Sequence, residues 1–256
     1  MKSIIQHLRN FFRSVQIHPL TLLYFCMAWM GGYLKWYLSA LGLVCIHEIC
    51  HLLMAYYFHF QIQKIEILPF GAYLSIDDFY FHPIIEEMCV VLAGPCCHFF
   101  LYLIINSFAY SVYRDYLLEM NMLILGFNML PIYPLDGGRV IGLILQRFLD
   151  LKTALYFQLK LSVFALCILC VFYLRMNTVM IIGYLFVQQF LYKQSIPLQL
   201  RQIYSCIPTF HFSKVKVHHD FIYRRGYHNY YMRNQKLYDE KQMMFELMKT
   251  IEKNFS

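Results

Sequence analysis

His47, Glu48 and His51 stand in the spacing H-E-x-x-H within residues 41–60, LGLVCIHEICHLLMAYYFHF. The rest of that stretch is Leu, Val, Ile, Met, Cys and aromatic residues with little else. Residues four apart on an α-helix lie about 40° apart around its axis, so both imidazoles share one face. Two neutral imidazoles so placed can grip a zinc ion, and the intervening Glu48 lies close enough to act on a water held there. An ionisable Glu flanked by two His is expensive in a lipid-spanning helix, which argues for chemistry over packing.

A catalytic zinc takes three protein ligands and keeps an open position. Asp136 is the best candidate for the third, being the only acidic residue in FNMLPIYPLDGGRV, residues 127–140. Gly137 and Gly138 beside it let the backbone bend and turn the carboxylate inward. Asp77, Asp78, Glu86 and Glu87 compete, but they flank a surface hairpin where a solvated role is expected. His59 and His98 stand as alternative nitrogen ligands. Asn128 can hydrogen-bond a substrate backbone or a developing oxyanion, or it can cap a helix end. Gly71 and Pro131 complete the candidate substrate contacts. Gly71 lies in a hairpin whose strand edge could pair with an extended chain, although a covering loop would look the same in sequence.

These groups need elements to hold them, and composition says where those elements sit. Of 256 residues, 59% are hydrophobic, 18% aromatic and only 14% charged. Soluble domains carry about 25% charged residues, so the chain reads as an all-α polytopic membrane protein. The apolar runs place six transmembrane helices near 20–33, 36–58, 84–110, 116–130, 154–174 and 179–192. Residues 61–78 alternate apolar and polar around Pro69-Phe70-Gly71 and predict a small β-hairpin at the membrane surface. Residues 1–17 read as an amphipathic segment on the inner leaflet, 18–192 as the membrane domain and 193–256 as a basic cytoplasmic α/β tail. That tail holds eleven Lys/Arg against five Asp/Glu, most of the net charge of +7. With Lys2, Arg9 and Arg13 at the other end, both termini are expected in the cytoplasm. The basic charge suits a lipid bilayer flank and not a nucleic acid. Prolines 131 and 134 with the Gly pair break the helix, and unwound backbone at membrane depth must line a buried or watered cavity. Of nine cysteines, eight lie in apolar segments and read as packing residues with no disulfide framework.

The chain resembles the site-2 protease family of intramembrane metalloproteases. The resemblance rests on His47-Glu48-Ile49-Cys50-His51, Ala93-Gly94-Pro95 and the Asn128–Gly138 run N-x-x-P-x-x-P-L-D-G-G, and spans about residues 17–192. That last run, the hairpin and six spans look most like the stage IV sporulation branch. The resemblance implies zinc on His47, His51 and Asp136, with Glu48 as catalytic base. It implies a membrane-tethered sigma-factor precursor as substrate, inhibitory membrane proteins as partners, and a forespore-surrounding membrane as location. Zinc would bring a bound water to a pKa of about 7, Glu48 would take its proton, and the same carboxyl would return it to the leaving amine. His98 stands where many members have Asn. The tail is too short for the whole nucleotide-sensing CBS domain common in that branch, although RRGYH and the residues after it resemble part of one. Two rivals remain. A metal transporter would need polar residues along the fifth and sixth spans, which look nearly bare apart from Gln188 and Gln189. An inactive scaffold would not need His47, Glu48, His51 and Asp136 intact.

Overall fold

A computed structural model describes residues 15–17, 19–60, 62–68, 71–76, 82–107, 112–173, 176–205, 215–219, 222–233 and 236–240. Of the amphipathic segment expected over 1–17, residues 1–14 lie outside the described residues and 15–17 form a strand; the Pro69-Phe70 turn, Asp77 and Asp78 also lie outside them. The chain divides into two compact units, residues 1–79 with 86–128, and residues 80–85 with 129–256.

The first unit holds β1 (Val15–Ile17), α1 (Pro19–Met30), α2 (Leu34–Tyr57), β2 (Ile62–Leu68), β3 (Gly71–Ile76), nearly all of α3 (Ile84–Ser107) and α4 (Val112–Asn128). β2 and β3 pair antiparallel, from Lys64 opposite Ser75 to Leu68 opposite Gly71, as the alternation in sequence predicts. β1 adds a parallel third strand, with Val15 opposite Ile65. The start of α2 lies beside the start of α4. There Tyr116 donates to the Trp36 carbonyl at 2.9 Å and its ring meets the indole edge-on. Further along, buried Leu43, Cys97, Leu101 and Ile105 join α2 and α3 in one apolar cluster.

α2 ends in a helix-terminating turn. His59 takes a left-handed φ of 61°, its N–H donates to the Tyr56 carbonyl, and the Phe60 N–H donates to the Ala55 carbonyl at 2.9 Å. These are the paired bonds of the Schellman motif, completed by contact between buried Phe60 and Ala55. His59 is exposed and serves the turn, which removes it from the candidate ligands.

The second unit holds α5 (Asp136–Phe148), α6 (Leu151–Tyr173), α7 (Met176–Ser205) and a sheet of β4 (Val215–His218), β5 (His228–Arg233) and β6 (Lys236–Asp239). β5 lies centrally, parallel to β4 and antiparallel to β6. One apolar cluster joins Leu151, Leu155 and Leu159 of α6 to Tyr192, Ile196, Leu200 and Ile203 of α7 and to Tyr223. α7 is a single helix of 30 residues, so it runs past the end expected for the last span at residue 192.

Six spans were expected, whereas among the described residues three helices are long and apolar enough to cross a bilayer. These are α2, α3 and α6; α1 is apolar but short. A break was expected at 131–138; it is present between α4 and α5 but covers 129–135, and Asp136, Gly137 and Gly138 already belong to α5.

Candidate metal centre

The helical spacing of His47 and His51 places both rings on one buried face of α2, at 2% and 7% exposure. Their Nε2 atoms lie 3.0 Å apart, with the rings edge to face. His51 Nδ1 sits 2.7 Å from the Val90 carbonyl on α3, which can only accept, so this nitrogen carries the ring hydrogen. His51 Nε2 is therefore a lone pair aimed at the other imidazole. His47 Nδ1 in turn lies 3.0 Å from Nε2 of His98, which contacts Asn121 on α4. Glu48, the residue between, is half-buried.

α3 approaches this face through Gly94. A Cβ there would lie 2.6 Å from Cε1 of both His47 and His51, so only glycine leaves room for the two rings. Two nitrogens each about 2.0–2.1 Å from one zinc at a tetrahedral angle stand about 3.3 Å apart. The 3.0 Å separation and the glycine cradle fit that ion. Ligand atoms of His47, Cys97 and His98 also lie within 4.8 Å of one another, a second grouping on the same faces.

In the second unit Asp136 is buried and opens α5. The loop before it runs through Ile132, which is fully buried, and a cis peptide between Tyr133 and Pro134. A Cβ on Gly138 would lie 2.5 Å from the Ile132 carbonyl carbon and the Tyr133 nitrogen, so α5 can start against its own leading loop only because glycine follows Asp136. The loop is held by side chains that sequence reasoning missed. Ser162 Oγ accepts from the Tyr133 N–H at 3.0 Å, Gln158 donates to the Gly138 carbonyl at 2.8 Å, and Gln189 donates to the Tyr133 carbonyl. Tyr192 donates to Gln158 Oε1 at 2.9 Å and stacks on Tyr133, ring centroids 3.9 Å apart. The fifth and sixth apolar runs are thus less bare than they read. Gln158 and Ser162 sit four apart on one helical face, a signal that was available.

Among the remaining candidates, Asn128 is the last residue of α4 and half-buried, Pro131 lies half-buried in the loop, and Gly71 opens β3. Glu86 is half-buried and Glu87 fully buried, so the solvated role expected for Glu87 does not hold. The eight described cysteines are free thiols; Cys97 is buried, whereas Cys26, Cys96 and Cys167 are exposed.

Residues 36–115 match the family described as Peptidase family M50. Over 154 residues the chain is 32% identical to stage IV sporulation protein FB of Bacillus subtilis, covering 58% of this chain and 54% of that protein. It is 31% identical over 112 residues to a zinc metalloprotease of Methanocaldococcus jannaschii, covering 41% of this chain and 32% of that one. The chain therefore spans about half the length, or less, of the curated relatives it matches. The solved structure of a site-2 protease from Methanocaldococcus jannaschii superposes with a TM-score of 0.55 at 21% identity, over 70% of this chain and 89% of that one. Three bilayer-length apolar helices make the chain an integral membrane protein. Residues 36–115 thus resemble a Peptidase family M50 domain, in a chain whose fold is that of the solved site-2 protease.

Proposed function

We propose that the chain is an intramembrane zinc metalloendopeptidase that cleaves a membrane-tethered protein near the cytoplasmic face. The observation that carries this reading is the pair of buried Nε2 atoms on α2, 3.0 Å apart in a cradle only glycine permits. His47 and His51 would hold the ion, with Asp136, a buried carboxylate at the start of α5, as the proposed third ligand. Bound zinc would supply Lewis acidity toward a water and the scissile carbonyl. Glu48 would accept a proton from the attacking water and return it to the leaving amine. Asn128 and Pro131 contact the substrate backbone, and the β2–β3 hairpin with Gly71 offers an edge to an unwound substrate.

Similarity to the sporulation protein supports a sigma-factor precursor as substrate. The same reading takes inhibitory membrane proteins as partners. Both termini lie in the cytoplasm, residues 18–192 form the membrane domain and 193–256 the basic tail. Against a transporter, the buried polar groups Gln158, Ser162 and Gln189 hydrogen-bond the backbone of Tyr133 in the loop and of Gly138 at the start of α5.

The test is Glu48→Gln in the purified full chain with a membrane-tethered substrate. Loss of general acid–base catalysis costs about 10²–10⁴-fold, so cleavage falls by at least about 100-fold while one zinc per chain is retained. Asp136→Ala should lose the zinc. Normal cleavage by Glu48→Gln would overturn the assignment, and stoichiometric zinc in Asp136→Ala would point to another third ligand.

A further inference from the structure

Asn121 and His98 are both fully buried, one on α4 and the other on α3. The Asn121 Nδ2 donates to the His98 main-chain carbonyl at 3.0 Å, which fixes the amide's orientation. Its Oδ1 therefore faces His98 Nδ1, 2.8 Å away, and can only accept. His98 Nδ1 must carry the hydrogen. A neutral imidazole has one N–H, so His98 Nε2 is a lone pair, and the 3.0 Å contact to His47 Nδ1 is a hydrogen bond only if His47 donates. His47 Nε2 is then a lone pair too. Since His51 Nδ1 donates to the Val90 carbonyl, both Nε2 atoms turn lone pairs toward each other across 3.0 Å. Two neutral rings in those tautomers cannot hydrogen-bond to each other, whereas a shared cation satisfies both.

We infer that His98 and Asn121 are positioning residues for the metal, a relay through α3 and α4 that sets the tautomer and ring angle of His47. This rests on the metalloprotease reading and deepens it. The relay does for His47 what the Val90 carbonyl does for His51. Outer partners of this kind orient ligands and raise their basicity, and losing one costs about 10–100-fold in metal affinity. His98 is then no ligand itself, because its Nε2 is directed at the Nδ1 side of His47. The grouping of His47, Cys97 and His98 makes the competing arrangement, in which a metal takes the place of that hydrogen.

The experiment measures zinc affinity of the full chain in detergent by competition with a chromophoric chelator, and the visible spectrum of the cobalt(II)-loaded protein. His98→Ala and Asn121→Ala should each weaken zinc by about 10–100-fold while still binding one ion at saturation. The double variant should be no worse than His98→Ala, because Asn121 acts through His98. Asn121→Asp keeps the acceptor and should restore affinity and the wild-type cobalt spectrum, which mere repacking would not do. Should His98→Ala fail to fold, Asn121→Ser against Asn121→Asp makes the same comparison. Wild-type affinity and spectrum in His98→Ala would overturn the relay alone. So would loss of stoichiometric metal in both His98→Ala and Cys97→Ser, which would make His98 a ligand. Wild-type protein that binds no zinc would overturn the metalloprotease reading with it.

Discussion

Gly94 sets how near α3 can come to the imidazoles of α2, and its replacement separates site chemistry from fold stability. Alanine is favoured over glycine in a helix interior by about 1 kcal/mol. At this position its Cβ would meet both rings, with His47 Cε1 at 2.6 Å, and such overpacking costs about 1–3 kcal/mol. The two effects largely offset in stability, but the strain falls on the ligands themselves. Gly94→Ala should therefore stay folded, with its melting temperature within a few degrees of wild type, and lose zinc affinity by at least about tenfold, on the scale of a disturbed ligand shell. Titration with a competing chelator beside a thermal melt checks both halves, and a variant that binds zinc normally would show that the cradle is roomier than the contact implies. That His47 and His51 share one face was legible from spacing alone, because a helical period of about 3.6 residues turns i and i+4 into neighbours. The environment of His98 was not legible. Its partners come from His47, 51 residues earlier, and Asn121, 23 residues later, and no local pattern announces a pairing made across three helices.

At the scale of elements, the loop between α4 and α5 depends on helices that come after it in sequence. Gln158 joins the Gly138 carbonyl to the Tyr192 hydroxyl within the buried face of α6 and α7. Gln158→Leu keeps the volume and strands both partners, each at about 1–3 kcal/mol. Tyr192→Phe removes one hydroxyl and should cost about 1 kcal/mol. Because the two side chains share a bond, the double variant should lose less than the sum of the singles, a coupling of about 0.5–3 kcal/mol. Chemical denaturation in detergent of the four proteins checks this, and strict additivity would mean that the bond carries no stability. The break itself was legible from prolines 131 and 134, whereas Gly137 and Gly138 lie in the first turn of α5 and not in the break. Its supports were harder to see, because a glutamine or serine in an apolar run looks like a tolerated polar residue until the backbone group it satisfies is known. The hairpin of β2 and β3 was readable from alternation, whereas β1 is three residues long and too short to show a period.

At the scale of the whole chain, the composition announced a membrane protein of six spans, and among the described residues three helices are both long and apolar enough to cross a bilayer. The tail, read from charge as a basic cytoplasmic flank, uses much of its polarity internally. Arg225 is buried, donating to Gln146 Oε1 at 2.6 Å and to the His82 carbonyl at 2.9 Å, which fastens the tail to α5 within the second unit. Asn229 is fully buried and accepts from the Arg224 N–H while donating to the carbonyls of Arg224 and Tyr227 and to Glu240 Oε1. Burial pushes the Tyr223 hydroxyl up to about 12. Burial likewise raises the Glu240 carboxyl above its ordinary 4.5, against the opposing Asn229 hydrogen bond and His228, whose Nδ1 lies 3.5 Å from Glu240 Oε2. A carboxyl whose pKa is higher folded than unfolded holds its proton more tightly in the native tail. Its contribution to stability is thus complete below pH 4.5 and is lost as pH rises through the folded value. Protection of the β5 amides, corrected for intrinsic exchange rates, should therefore decline above pH 4.5 in the wild type. Glu240→Gln keeps the acceptor for Asn229 and cannot ionise, so its protection should change less across the same range and exceed the wild type at neutral pH. An identical pH slope in the two proteins would assign the decline to another group and remove Glu240 from the tail's response to pH.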